Sequence, residues 1–308
     1  MSDSPLDLRT RLGPLELRSP VITASGAFGY GQEYEGLLDL SRLGAVAVKG
    51  LTLQPREGNP PPRICETPSG MLNSIGLENP GVEVFIAEKL PWLVERGVPV
   101  IANINGGTVD EYVQLAGRLS ECPGVVALEV NISCPNVDHG GLEFGKDPAE
   151  TTRVVGAVRA ATSLPLIVKL SPNVTSIVEI ARAALDGGAD ILSLINTLVG
   201  MSIDIFSRRP RLARGKGGLS GPAIRPVAVR MVWEVHQALP EMPLIGMGGV
   251  MNGADAVEFL LAGASAVAVG TGSFVTPGAA GEVLDGLLEY AQLKGLTRLD
   301  ELVGKVIL

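Results

Sequence analysis

Residues 131–136 read Asn-Ile-Ser-Cys-Pro-Asn, and the thiol of Cys134 is the group here best placed to do chemistry. It follows a run, Ala127-Leu128-Glu129-Val130, that reads as a buried strand, and it directly precedes a proline. A thiol kept for packing belongs inside an element, as a small hydrophobe. One that sits among hydrogen-bonding side chains, where a strand gives way to a loop, is held where it can react. A nucleophilic cysteine needs a base beside it, and the chain has only two histidines. His236 lies in a helical pattern, and His139 lies in a glycine-flanked loop, where a solvent-facing role is the simpler reading. Cys134 is therefore cast as a general base or acid on a carbon-bound proton, since a free thiol titrates near ~8.5, within reach of tuning. Cys65, in a proline-rich loop, and Cys122, before a proline, read as thiols without chemistry.

Composition narrows the rest. A net charge of -8 argues against a nucleic-acid partner, which needs a basic face. It leaves room for a small anion held by one or two lysines. Three cysteines with no C-x-x-C spacing argue against a disulfide scaffold, a metal centre or an iron–sulfur cluster on this chain. The start, MSDSPLDLRT, does not read as a signal peptide, and no apolar run approaches the ~20 residues that span a bilayer. The expectation is a cytoplasmic protein without membrane contact.

The elements that must position Cys134 are legible. Apolar runs recur at 21–26, 45–50, 98–104, 125–133, 165–171, 189–197, 243–249 and 266–272, each bounded by Gly, Pro, Asn or Ser. They do not alternate polar and apolar, so both faces should be buried, as in a parallel sheet covered by helices. Helical periods fill the intervals, among them 109–120, 148–162, 175–188, 226–239 and 252–264. Eight β-α alternations predict an α/β fold, a (β/α)8 TIM barrel over residues 1–308 as a single domain. An open doubly wound sheet is the alternative, but GAFGYG at 26–31 has the wrong spacing for its glycine fingerprint. Residues 11–20 read as an N-terminal hairpin covering the barrel's bottom. Residues 51–80 and 198–225 are long Gly/Pro-rich loops on the catalytic face.

In such a barrel the site lies at the C-terminal ends of the strands. Those ends supply Ser25, Lys49, Asn103, Asn131 with Cys134, Lys169, Asn196 with Thr197, Gly248–Gly249 and Gly270–Thr271. Two strand-end lysines point to a shared anion or cofactor. Glycines after the last two strands suit a phosphate, which backbone N–H groups can then approach. Asn73 and its neighbours in NSIGLENPG (73–81) offer paired donors and acceptors that suit the amide edge of a pyrimidine.

NSIGLENPG, NISCPN, INT at 195–197, GGLSGPAIRP at 217–226, GMGGV and GTG together resemble the class 1 dihydroorotate dehydrogenases, along nearly the whole chain. The resemblance implies an FMN-binding barrel that oxidises dihydroorotate to orotate in pyrimidine (UMP) biosynthesis, with Cys134 as the base. It implies that Ser25, Lys49, Gly50, Asn103, Asn131, Lys169, Ile195, Gly221, Gly248, Gly249, Gly270 and Thr271 hold FMN. Lys49, Asn73, Ser74, Ile75, Gly76, Leu77, Asn131, Asn196 and Thr197 would hold the substrate. No metal is implied. The segment NVDHGGLEFGKDP after the cysteine resembles the class 1B form, which passes electrons to NAD through a second subunit carrying FAD and an iron–sulfur cluster. That form is a heterotetramer of two catalytic and two electron-transfer chains, built on a homodimer of the catalytic chain. A dihydropyrimidine dehydrogenase-type reductase, the fumarate-using class 1A form and a phosphosugar-binding barrel are the competing readings.

Overall fold

The computed structural model describes residues 6–132 and 144–307. Its centre is an eight-stranded parallel sheet of Val21–Thr23, Val46–Ala47, Val100–Ile104, Val125–Asn131, Leu166–Lys169, Ile191–Leu194, Leu244–Met247 and Ala266–Val269. These are barrel strands 1 to 8, all within the predicted runs. Strand 8 pairs with strand 1. A bridge between Ile22 and Ala45 closes the ring, helped by the Ala47 amide donating to Thr23 Oγ1 at 3.0 Å.

The strands read as unbroken apolar runs because each has two dry faces. Residues such as Ala47, Ile101, Ala127, Ile167, Ile191, Ile245 and Ala268 pack inside the barrel. Their neighbours Val46, Val100, Leu128, Leu166, Leu192, Leu244 and Val267 face the helices. The N-terminal hairpin, Thr10–Leu12 against Leu15–Leu17, joins the inner set. Leu12, Leu15 and Leu17 are buried there with Ile101 and Ile245, and Thr10 Oγ1 donates to the Ser265 carbonyl at 2.9 Å. The hairpin therefore stoppers the bottom of the barrel.

Helices follow strands 2 to 8, and four of them start where a side chain satisfies a first-turn N–H group. Thr108 and Glu111 form a reciprocal cap on Val109–Ser120, and Asp147, Ser176 and Asn252 cap Pro148–Ala161, Ile177–Asp186 and Gly253–Ala262. Arg225–Ala238 and the last helix, Ala279–Lys294, complete the outer layer with a helical stretch from Val82 to Glu95. The first crossover differs from the eightfold alternation expected: it holds only two short 3-10 turns, Gln32–Tyr34 and Leu40–Arg42. Gly31 and Gly36, at φ +89° and +76°, interrupt it, and the stacked rings of Phe28 and Tyr34 cover the sheet instead.

The two long loops are not simply loops. Ile64–Thr67 and Gly70–Asn73 from the first pair with Leu198–Met201 and Lys216–Ser220 from the second in a four-stranded antiparallel sheet. Most of the GGLSG stretch, within the second long loop, belongs to the strand Lys216–Ser220 of that sheet. A small hairpin, Ile203–Asp204 with Arg209–Pro210, extends beyond it. No helix among the described residues is long and apolar enough to cross a membrane.

Candidate active site

A cavity opens at the C-terminal end of the barrel. Its mostly apolar lining with a few convergent polar groups suits a cofactor or a small molecule. From the predicted set it gathers Lys169, Ile195, Gly221, Gly248, Gly249, Gly270 and Thr271, together with Asn73, Ile75, Asn196 and Thr197. Strands 5 to 8 supply most of the first group through their ends and the turns that follow, and Gly221 directly follows the extra-sheet strand Lys216–Ser220. The extra sheet brings Asn73 over the mouth, where its Nδ2 donates to the Gly218 carbonyl at 3.4 Å.

The walls are held by backbone packing that side chains would disrupt. A Cβ on Gly249, at φ +83°, would meet the Gly221 carbonyl at 2.8 Å and Arg225 Cβ at 2.9 Å. Behind this turn, buried Asp255 accepts from the Met251 amide at 2.9 Å and is paired with Arg225. Thr271 Oγ1 donates to Ser220 Oγ at 2.8 Å, tying the end of strand 8 to the extra sheet. Thr197 is fixed from below: Asn173 Nδ2 donates to its carbonyl at 3.0 Å, and its amide donates to Asn196 Oδ1 at 2.7 Å. Gly26, by contrast, faces open space, since a Cβ there would meet nothing within 4 Å.

The remaining predicted residues sit around or beneath this cavity. Asn131 Oδ1 accepts from Asn196 Nδ2 at 3.3 Å, and its carbonyl accepts from Tyr112 Oη at 2.7 Å. Ser25 and Asn103 are buried below the floor. Gly50 lies against the side chains of Asn103 and Asn105, and half-buried Lys49 follows strand 2, its amide donating to the Gly29 carbonyl at 2.8 Å. Ser74 is buried and accepts from Asn59 Nδ2, while Gly76 packs on Asn59. Leu77 is half-buried at φ +60°, and its carbonyl accepts from Asn79 Nδ2 at 2.7 Å. Cys134 and His139 lie outside the described residues. Cys65 and Cys122 are unbridged, and burial pushes the Cys122 thiol up. Among the described residues no cluster of His, Cys, Asp or Glu could hold a metal.

Sequence reasoning missed the apolar lining and one acid. Ala24, Met247 and Ala268 line the cavity, and the period-2 alternation of their strands could have found them. Met71 could not be found that way, because its place depends on pairing with Ser220. The acid is Glu129, 3% exposed inside the barrel. Its Oε2 accepts from Asn103 Nδ2 at 2.5 Å and Ser25 Oγ at 3.0 Å, and its Oε1 accepts from Ser193 Oγ at 2.8 Å. A charged residue two positions before Asn131, in an otherwise apolar strand, was the available signal.

A flat heterocycle bearing a phosphate fits these residues. Alanine, isoleucine and methionine side chains offer faces for a ring system, Lys169 offers a cation at the floor, and glycine turns leave the backbone approachable.

The family model described as "Dihydroorotate dehydrogenase" matches residues 7–290. A protein of Pelobacter propionicus, named "Dihydroorotate dehydrogenase B (NAD(+)), catalytic subunit", is 58% identical over 298 residues, covering 97% of this chain and 98% of the relative. Proteins of the same name from Desulforudis audaxviator and Geotalea uraniireducens are 60% and 55% identical, covering 94% and 98% of this chain and 94% and 98% of their own.

Proposed function

Because the chain belongs to the dihydroorotate dehydrogenase family, we propose that it is the catalytic subunit of an NAD-linked enzyme that oxidises dihydroorotate to orotate. The observation that carries this reading is the meeting of Lys169, the glycine turns and the Asn73, Asn196 and Thr197 side chains in one cavity. FMN, when bound there, supplies a two-electron acceptor. Lys169, Ile195, Gly221, Gly248, Gly249, Gly270 and Thr271 would hold it, with Ser25, Lys49, Gly50, Asn103 and Asn131 around them. The fixed lysine favours negative charge on the cofactor, a preorganised electrostatic contribution.

The asparagines do the orienting. Asn196 and Asn131 hold each other, so each amide has a set direction before the substrate arrives. Asn73, brought in on the extra sheet, supplies the opposite side. Substrate amide and carboxylate groups then exchange water for donors and acceptors that need no rearrangement. Cys134 takes the proton from C5 of dihydroorotate while hydride leaves C6, so the new double bond carries no stranded charge. This role rests on the NISCPN stretch and the family.

The name "catalytic subunit" borne by the relatives supports a second subunit. We assign FAD and an iron–sulfur cluster to that partner, in a tetramer of two catalytic and two electron-transfer chains built on a homodimer of this one, located in the cytoplasm.

The test is an anaerobic visible spectrum of the purified chain, before and after dihydroorotate. A yellow protein that bleaches is expected. A yellow protein indifferent to dihydroorotate, but bleached by dihydrouracil and recoloured by uracil, would replace this substrate with a simpler pyrimidine. A colourless chain that cannot be reconstituted with FMN would overturn the reading of the cavity.

A further inference from the structure

Glu129 has no part in the chemistry above, yet it lies at the centre of the residues that carry it. Register sets this up: Asn103 pairs with Glu129 across strands 3 and 4, and Asn131 with Lys169 across strands 4 and 5. The carboxylate collects donors from strands 1, 3 and 6, while the Lys169 ammonium stands 3.9 Å from its Oε2. That gap is too long for a direct hydrogen bond. Ser25 fills it, accepting from Lys169 Nζ at 3.3 Å and donating to Glu129 at 3.0 Å.

Two features separate this from ordinary core stapling. A buried ion pair holds a fold no better than apolar side chains of equal volume, and apolar side chains such as Ile101, Ile167 and Ile245 fill the barrel interior beside it. The pair is also asymmetric: Lys169 lines the cavity and Glu129 does not. An ammonium has three donors. Among the described residues Lys169 gives one to Ser25, whose own hydroxyl is directed by Glu129, so the acid fixes the partner that orients the ammonium.

We propose that Glu129 is a positioning residue and counter-charge. Through Ser25 it holds Lys169 aimed into the cavity, and it offsets part of the lysine's charge, so that it tunes the site's preference for reduced over oxidised FMN. This rests on the reading of the cavity as an FMN site. The negative charge below the floor opposes the charge that reduction adds to the flavin. Removing it while keeping the shape should make the reduced cofactor bind relatively more tightly.

The experiment compares the wild-type chain with Glu129→Gln, each reconstituted with FMN, by measuring the affinity for FMN and its anaerobic reduction potential. The expected result is a rise in the reduced-to-oxidised affinity ratio on the order of tenfold, about 30 mV in a two-electron potential. A folded, flavin-loaded Glu129→Gln with an unchanged or lower potential overturns the inference. Should Glu129→Gln fail to fold, the double variant Glu129→Gln/Lys169→Met decides. Recovery of folding when both charges are removed supports a compensating pair; continued failure means Glu129 serves the architecture alone and refutes it. A wild-type chain that takes up no FMN defeats the cavity reading itself, which is a different result from two flavoproteins of equal potential.

Discussion

Gly249→Ala separates packing from occupancy at the cavity wall. Gly249 has a left-handed φ of +83°, and a methyl there would lie 2.8 Å from the Gly221 carbonyl, 2.9 Å from Arg225 Cβ and 3.1 Å from Pro222 Cα. The conformation costs an alanine about 1–2 kcal/mol. Forcing the neighbours apart adds about 1–3 kcal/mol, the usual range for overpacking. With an unfolding entropy of ~2.1 cal/mol/K per residue, a loss of about 2–5 kcal/mol should lower Tm by roughly 3–8 °C. The same displacement moves the turn after strand 7 away from Gly221, so FMN should bind at least ~10-fold more weakly, about 1.4 kcal/mol. Gly26→Ala is the control: it lines the same cavity, has no positive φ, and its methyl would meet no protein atom within 4 Å. It should leave Tm unchanged and weaken FMN only by occupying ligand space. Thermal melting of the apo-protein and titration of FMN fluorescence give both numbers. A Gly249→Ala protein with wild-type Tm and wild-type affinity would refute the packing argument. A Gly26→Ala protein that binds FMN as the wild type does would show that the ligand lies elsewhere.

Cys134→Ala should keep flavin and substrate binding and lose most turnover at neutral pH, whereas Cys134→Ser should retain activity that climbs with pH, because a hydroxyl is the poorer base; unchanged steady-state rates in the alanine variant would remove the thiol from the reaction. Leu12→Ala, at a fully buried position in the hairpin that stoppers the barrel, should cost about 2–5 kcal/mol. Because it lies at the end opposite the cavity, FMN affinity at low temperature should stay within about twofold. Burial pushes His236 below its ordinary value of 6.5, so its neutral form is favoured by folding. Its contribution is fully present above the ordinary value and is lost as pH falls through the lowered one. Melting scans from pH 7 to pH 5 should therefore show a decline that His236→Gln flattens, and parallel curves for the two proteins would count against it.

The barrel strands were legible because burial on two faces writes itself into every residue of a strand: Leu166–Lys169 could hardly be read otherwise. Capped helices were legible for a local reason too, since Thr108 and Glu111 lie three residues apart. What escaped was non-local. Nothing near Asn73 announces that it pairs with Gly218, so the four strands of the antiparallel sheet on the catalytic face passed for loops. Glu129 escaped because one acid in an apolar run looks like an exception. Its four neighbours come from strands 1, 3, 5 and 6 and are adjacent only once the barrel has closed. Among the strand-end residues, those after strands 5 to 8 meet at one cavity because their turns converge there. Ser25 and Asn103 stood out as polar, but the direction in which they point is set by Glu129, not by their own segments.

The leucine stopper closes the bottom of the barrel, and the cavity opens at the other end. Whatever rests against Lys169 has to be loaded from the top, through the space that the antiparallel sheet and the turns after strands 6 to 8 surround. Order of arrival then follows from depth: the molecule at the floor enters first and leaves last, and a second molecule resting on it acts as its cork. A bound pyrimidine should therefore slow the escape of the cofactor below it, with no movement of the protein required.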